Sequence, residues 1–206
     1  MKNVIKLTSV LCISIIMLSF KLISPKEYKP GDVARDFKLK NVDGKMVSLT
    51  DFKEAKGFIV VFTCNHCPFS KAYEQRIIDL NKKYTSLGYP VIAVNPNDKN
   101  VQPDDSYDNM IILAKEKNYT FPYLYDETQE IAAAYGALRT PHVYIIKKSK
   151  VGLIVKYVGA IDDNADEPEA VKKKYVEDAV NELIESKPVT VASTKAIGCS
   201  IKWKKE

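Results

Sequence analysis

Hydrophobic and polar residues along this chain fall into runs whose period changes from two, to continuous, to helical, and back. Phe37, Leu39 and Val42 mark a first irregular strand, Asp43-Gly44 a turn, and Val47 and Leu49 a second short strand hairpin-paired with the first. Phe58 to Phe62 is a continuous apolar, β-branched run, the pattern of a central strand buried on both faces. From Pro68 onward the spacing of Phe69, Ala72, Tyr73, Ile77, Leu80 and Tyr84 predicts a helix that ends at Gly88. Val91 to Val94 is a further buried strand, closed by Asn95-Pro96. Helical spacing returns at Tyr107 to Lys117, Tyr123 to Tyr125 is a short extended piece, and Ile131 to Tyr135 is a short helix before Gly136. His142 to Ile146 and Leu153 to Val158 flank the polar turn Lys147 to Lys150 as an antiparallel hairpin. A last helix is expected to start near Pro168, with Val171, Tyr175, Ala179 and Leu183 on one face.

The order β-β-β-α-β-α-(β)-α-β-β-α predicts an α/β fold with a mixed central sheet, helices on both faces and an N-terminal β-hairpin extension. Residues 25–186 read as one domain and 187–206 as a C-terminal tail. Residues 1–24 stand apart. Lys2 and Lys6 precede an apolar run from Leu7 to Phe20 and a polar boundary from Ser24 to Lys29, the layout of a secretory signal peptide. At about 14 residues the run is short of the roughly 20 that span a bilayer, so an uncleaved N-terminal anchor is the lesser reading. The expected location is therefore exported, periplasmic or anchored facing the periplasm, with membrane contact only through this segment.

Composition adds exclusions. With 46% hydrophobic and 28% charged residues among 206, the chain is an ordinary globular one. The net charge of +5 owes three lysines, Lys2, Lys6 and Lys21, to the N-terminal segment, leaving near balance elsewhere, and no nucleic-acid-binding signature is present. Of the four cysteines, Cys12 lies in the apolar run, and the odd number left, Cys64, Cys67 and Cys199, argues against a purely structural disulfide framework.

The chemistry-bearing segment is Cys64-Asn65-His66-Cys67-Pro68, where the buried strand gives way to the long helix. Unpaired first-turn N–H groups and the helix dipole would favour a thiolate at Cys64 and lower its pKa. The two-residue spacing would let Cys67 resolve a mixed disulfide formed by Cys64, and His66 would further favour the thiolate and make the pair more oxidising. Cys199 reads equally as a third redox member docking on the site or as a buried small residue, with an exposed thiol as a further option. A structural zinc site would need Cys64, Cys67 and a histidine, His66 or His142, in place of the usual second cysteine pair.

Strand, Cys-x-x-Cys at a helix start, and Thr140-Pro141 opening a strand far downstream resemble the thioredoxin superfamily over residues 30 to 186. The N-terminal strands resemble its redoxin branch, which includes alkyl hydroperoxide reductase-like and TlpA/ResA-like proteins. Phe62 to Pro68 together with Ile197 to Trp203 resemble exported bacterial members with a CNHC motif. The resemblance implies a thiol–disulfide oxidoreductase with Cys64, Cys67, His66 and Pro141 catalytic, and Thr140 and Asn65 contacting substrate. In that superfamily the proline is cis and lies against the sulfurs, leaving the Thr140 backbone free to pair with an extended substrate. No cofactor and no resident metal are implied; the partners are protein or small-molecule disulfides and thiols and a redox partner. Two departures matter. Thr63 and Phe58 stand where thioredoxins carry Trp and a buried acid, and the Pro-x-x-x-Thr-x-x-Cys stretch of peroxiredoxins is missing. The alternatives kept are a thiol peroxidase using Cys64 and a metal-binding or delivery protein using Cys64, Cys67 and a histidine.

Overall fold

The computed structural model describes residues 27–205, so the signal or anchor expected at the N-terminus lies outside the described residues. Among the described residues ten strands and four α-helices follow one another: β1 (Val33–Ala34), β2 (Lys38–Asn41), β3 (Met46–Ser48), β4 (Gly57–Phe62), α1 (Pro68–Tyr84), β5 (Val91–Asn95), α2 (Tyr107–Glu116), β6 (Tyr123–Tyr125), α3 (Glu130–Tyr135), β7 (Arg139–Thr140), β8 (His142–Ser149), β9 (Gly152–Gly159), α4 (Tyr175–Ile184) and β10 (Cys199–Ser200). Eight strands make one mixed sheet in the order β1-β9-β8-β4-β5-β6-β2-β3, with β4, β5 and β6 parallel and the other pairs antiparallel. β4 is at its centre because all six of its residues are apolar or glycine and buried on both faces.

Alternation along β4 feeds two cores. Ile59 and Val61 face α1, α2 and α4 through Tyr73, Ile77, Met110, Val176 and Val180. Phe58, Val60 and Phe62 face α3 through Ile131, Ala132 and Tyr135. Helices therefore cover both faces, and the hairpin β2–β3 extends one edge. The Thr140-Pro141 peptide bond is cis.

Two expectations need correction. The last helix starts at Tyr175, not Pro168, which opens only a 3₁₀ turn, Pro168–Ala170. Asp163 Oδ1 accepts the Lys172 and Lys173 N–H groups, drawing this stretch out of helical pairing. Asp162, in the connection before this turn, is buried and accepts hydrogen bonds from Tyr73 Oη at 2.9 Å and Arg76 Nη1 at 2.6 Å. Residues 187 to 205 do not trail away. Val158 N donates to Ala192 O, Thr194 N donates to Val158 O, Ile201 is buried, and β10 pairs with β7.

Candidate active site around three sulfurs

β4 ends at Phe62, and the loop Thr63 to Cys67 leads into α1, whose N-cap is Cys67 and whose first residue is Pro68. Proline is favourable there because the N–H it lacks would have had no partner. The helix terminus thus belongs to Cys67, with Cys64 three residues upstream.

Cys64 is a buried free thiol, whereas Cys67 is disulfide-bonded to Cys199, 132 residues away, with Cα atoms 6.1 Å apart. The sequence pattern pairs Cys64 with Cys67; in this state Cys67 pairs instead with the cysteine whose role the sequence leaves open. Around the Cys64 sulfur lie Thr140 Oγ1 at 3.2 Å, His66 Nδ1 at 3.6 Å and Ser70 Oγ at 3.8 Å. Cys67 Sγ sits 3.2 Å from Thr140 O. A cavity of about 10 Å³ lies beside Cys64, lined among others by Ser70, Tyr119 and Tyr123. That is room for about one water molecule.

Burial pushes the Cys64 thiol above its ordinary value, and the negative charge of Asp105 pushes in the same direction. The hydroxyls of Thr140 and Ser70 and the Cys67 N–H oppose this without overcoming it. This overturns the expectation of a lowered pKa at Cys64: the dipole argument applies to the residue at the helix cap, and desolvation outweighs the few donors that reach Cys64.

Asp105, at the end of the turn Pro103–Asp105, is fully buried and organises the loop. Its Oδ1 accepts the N–H groups of Asn65 at 2.7 Å and His66 at 3.0 Å. Its Oδ2 lies 2.5 Å from His66 Nδ1 and accepts from Asn97 Nδ2 at 2.7 Å. His66 Nδ1 must carry a hydrogen, because a lone pair there would face the carboxylate. That N–H is committed first to Asp105, and the Cys64 sulfur receives only a longer share of it. Sequence reasoning misses Asp105, since one acid in Asp104-Asp105 before a helix reads as a first-turn charge.

The other nominated residues are placed as follows. Asn65 donates from Nδ2 to Asp104 O and accepts from Tyr123 Oη at Oδ1, so it frames the loop instead of offering a free amide to substrate. Thr140 is buried, and its backbone, expected to be free, is opposite Cys199 in the β10–β7 ladder. Arg139 Nη1 donates to Gly198 O at 2.8 Å. Of the side chains that could hold a metal, Cys64, His66 and Asp105 have ligand atoms within 4.8 Å of one another, while Cys67 is spent in the disulfide. Each Asp105 oxygen already accepts two hydrogen bonds, which does not suit a ligand. His142, the second histidine, is buried with Nε2 3.5 Å from Glu27 Oε1 and Nδ1 3.5 Å from Tyr144 Oη. Burial lowers its pKa to about 4, helped by the charge of Arg139.

Residues 30–156 match the AhpC/TSA family. The chain belongs to that family. Among its relatives, the thiol-disulfide oxidoreductase ResA of Oceanobacillus iheyensis is 30% identical over 149 residues, 68% of this chain and 73% of that one. A Mycobacterium tuberculosis protein described as a peroxiredoxin is 25% identical over 115 residues, 56% of this chain and 68% of that one. The crystal structure of a conserved protein from Geobacillus kaustophilus superposes with a TM-score of 0.81 and 39% identity, covering 88% of this chain and 95% of that one. Within this AhpC/TSA chain the family match stops at residue 156, so the family assignment alone would have left Cys199 outside the site.

Proposed function

We propose that this chain is a thiol–disulfide oxidoreductase whose exchange chemistry centres on Cys67, with Cys64 as the thiol that resolves a disulfide formed there. One observation carries the reading: Cys67, at the cap of α1, holds a disulfide while the free Cys64 thiol lies in the same loop, both sulfurs 3.2 Å from oxygens of Thr140. The positive end of the α1 dipole lies at Cys67, the cap residue, and favours it as an attacking and leaving sulfur. Cys64, buried and held protonated, fits the later step. In that step the Cys64 sulfur attacks Cys67 Sγ, the bond from Cys67 to its partner breaks, and Cys64–Cys67 forms. The proton lost by Cys64 balances the one gained by the departing thiol. Thr140 Oγ1 and His66 are placed to position the Cys64 sulfur and share its developing charge.

The relation to ResA supports this reaction class. Among the described residues no helix is long and apolar enough to cross a membrane. Export, with a periplasmic site of action, is proposed from the basic start at Lys2 and Lys6 and the apolar run from Leu7 to Phe20. The test is turnover of hydroxyethyl disulfide with dithiothreitol as reductant. Cys67→Ser should lower it at least a hundredfold, and Cys64→Ser should accumulate the Cys67–Cys199 disulfide, which Cys64 can no longer resolve. Full activity in Cys67→Ser would overturn the reading; peroxide consumption far faster than disulfide turnover would favour a thiol peroxidase.

A further inference from the structure

The C-terminal segment is built onto the site from both sides. Upstream of Cys199, Ala192 and Thr194 pair with Val158, and Thr194 Oγ1 contacts Tyr157 Oη and accepts from Ala160 N. Downstream, Ile201 N donates to Leu138 O and its side chain is buried. Lys202 N donates to Asn97 Oδ1 at 2.8 Å, and Lys202 O accepts from Asp98 N and Gln129 Nε2. Between these anchors Gly198 packs so closely on the Thr140-Pro141 backbone that an added methyl group would collide with the Thr140 carbonyl. Cys199 is therefore held opposite Thr140 as a fixed part of the site.

Exposure orders the three sulfur-bearing residues. Cys67 is 0% and Cys64 4% exposed, whereas Cys199 is partly exposed. The strand edge at Thr140, which could otherwise receive an extended peptide, is taken by Cys199 and Ser200 of the same chain. Of the three residues, Cys199 is thus the one that offers surface to an external thiol or disulfide.

We propose, building on the oxidoreductase reading above, that Cys199 is the third redox cysteine and the one that exchanges with external partners, the substrates being accessible disulfides and thiols that need no strand pairing. In the reduced protein the Cys199 thiolate attacks an external disulfide, forming a mixed disulfide and releasing one thiol. The Cys67 thiolate then attacks Cys199 Sγ, releasing the second thiol and leaving the Cys67–Cys199 disulfide. The protons of Cys199 and Cys67 pass to the two released thiols, so two electrons leave the protein and the external disulfide gains two. Cys64 can then take over Cys67, freeing Cys199 with no net oxidation. Reduction by an external dithiol runs the same path backwards, with Cys67 as the leaving sulfur at the helix cap.

The experiment uses fully reduced wild-type protein, treated with substoichiometric N-ethylmaleimide and mapped by peptide mass spectrometry. Cys199 should be alkylated at least tenfold faster than either Cys64 or Cys67. Equal rates, or Cys64 or Cys67 first, would overturn the proposal. Turnover gives the second readout: Cys199→Ser, scored per folded molecule by circular dichroism, should process hydroxyethyl disulfide at least tenfold more slowly, and unchanged turnover would also overturn it. Labelling does not depend on turnover. If the wild type labels first at Cys199 but turns over no disulfide, the oxidoreductase reading falls while Cys199 stands as the outer thiol.

Discussion

The state of Cys64 is decided by a contest between burial and donors. A thiolate in this position would be desolvated and would face Asp105, and the hydroxyls of Thr140 and Ser70 do not compensate. Asp105→Asn removes the charge, so the pH midpoint of Cys64 alkylation in the oxidised protein should fall. The same variant should lose about 1–3 kcal/mol of stability, because an amide cannot satisfy the His66 and Asn97 donors as the carboxylate does. An unchanged alkylation midpoint would show that burial alone sets the thiol. The sign for folding follows: with the folded pKa raised, the contribution of Cys64 to stability is intact below the ordinary thiol pKa and is lost as pH rises beyond it. His142 works in the opposite direction. Its folded pKa of about 4 against an ordinary 6.5 means that stability present above pH 6.5 is lost as pH falls toward 4. The full difference is worth about 3 kcal/mol at the conversion of 1.36 kcal/mol per unit. Urea midpoints at pH 7 and pH 4.5 check this, and His142→Gln should remove most of that part of the pH dependence.

At the scale of elements, what is legible in the sequence is what periodicity and punctuation encode. Phe58–Phe62 as a central strand, the cysteine pair at the start of a long helix, and the hairpin of β8 and β9 are all local patterns. The failures are tertiary. Nothing local in Ile197 to Ile201 reveals that it forms a ladder with β7, because two-residue strands carry no period. The acid that shapes the loop lies about 40 residues beyond it and becomes its partner only through the turn before α2. Helical spacing misplaces the start of α4 because Asp163 captures two amides of the basic run, an interaction invisible to periodicity. Gly198 shows how narrowly β10 is fitted. Gly198→Ala keeps Cys64, Cys67 and Cys199 but should push the segment off Thr140, costing about 1–3 kcal/mol as an overpacking change. Disulfide mapping of the oxidised variant should then find Cys64–Cys67 in place of much of Cys67–Cys199; an unaltered Cys67–Cys199 link would show that the backbone can yield.

Across the whole molecule, the large cores above and below the sheet hold the two ends of the site in register. β4 delivers the cysteine loop, β8 follows directly from Thr140-Pro141, and the two strands are hydrogen-bonded neighbours from Phe62↔His142 outward. The Cys67–Cys199 link therefore joins parts that folding has already brought together, although they are 132 residues apart in sequence. That separation makes the position of the disulfide a record of whether the chain is folded. In an unfolded chain, closing so long a loop costs about 5 kcal/mol in the chain-entropy model, against about 2 kcal/mol for the short Cys64–Cys67 loop. In the native protein the long loop is closed in advance, and this difference disappears. Unfolding should consequently drive internal exchange toward Cys64–Cys67 by about 3 kcal/mol, roughly a hundredfold. Oxidised protein held in concentrated urea at pH 8, then quenched and mapped, should carry mainly Cys64–Cys67, and refolding before the quench should restore Cys67–Cys199. A bond that stayed on Cys199 throughout would mean that the exchange between the three sulfurs does not occur, and that the chain keeps no such memory of its own folding.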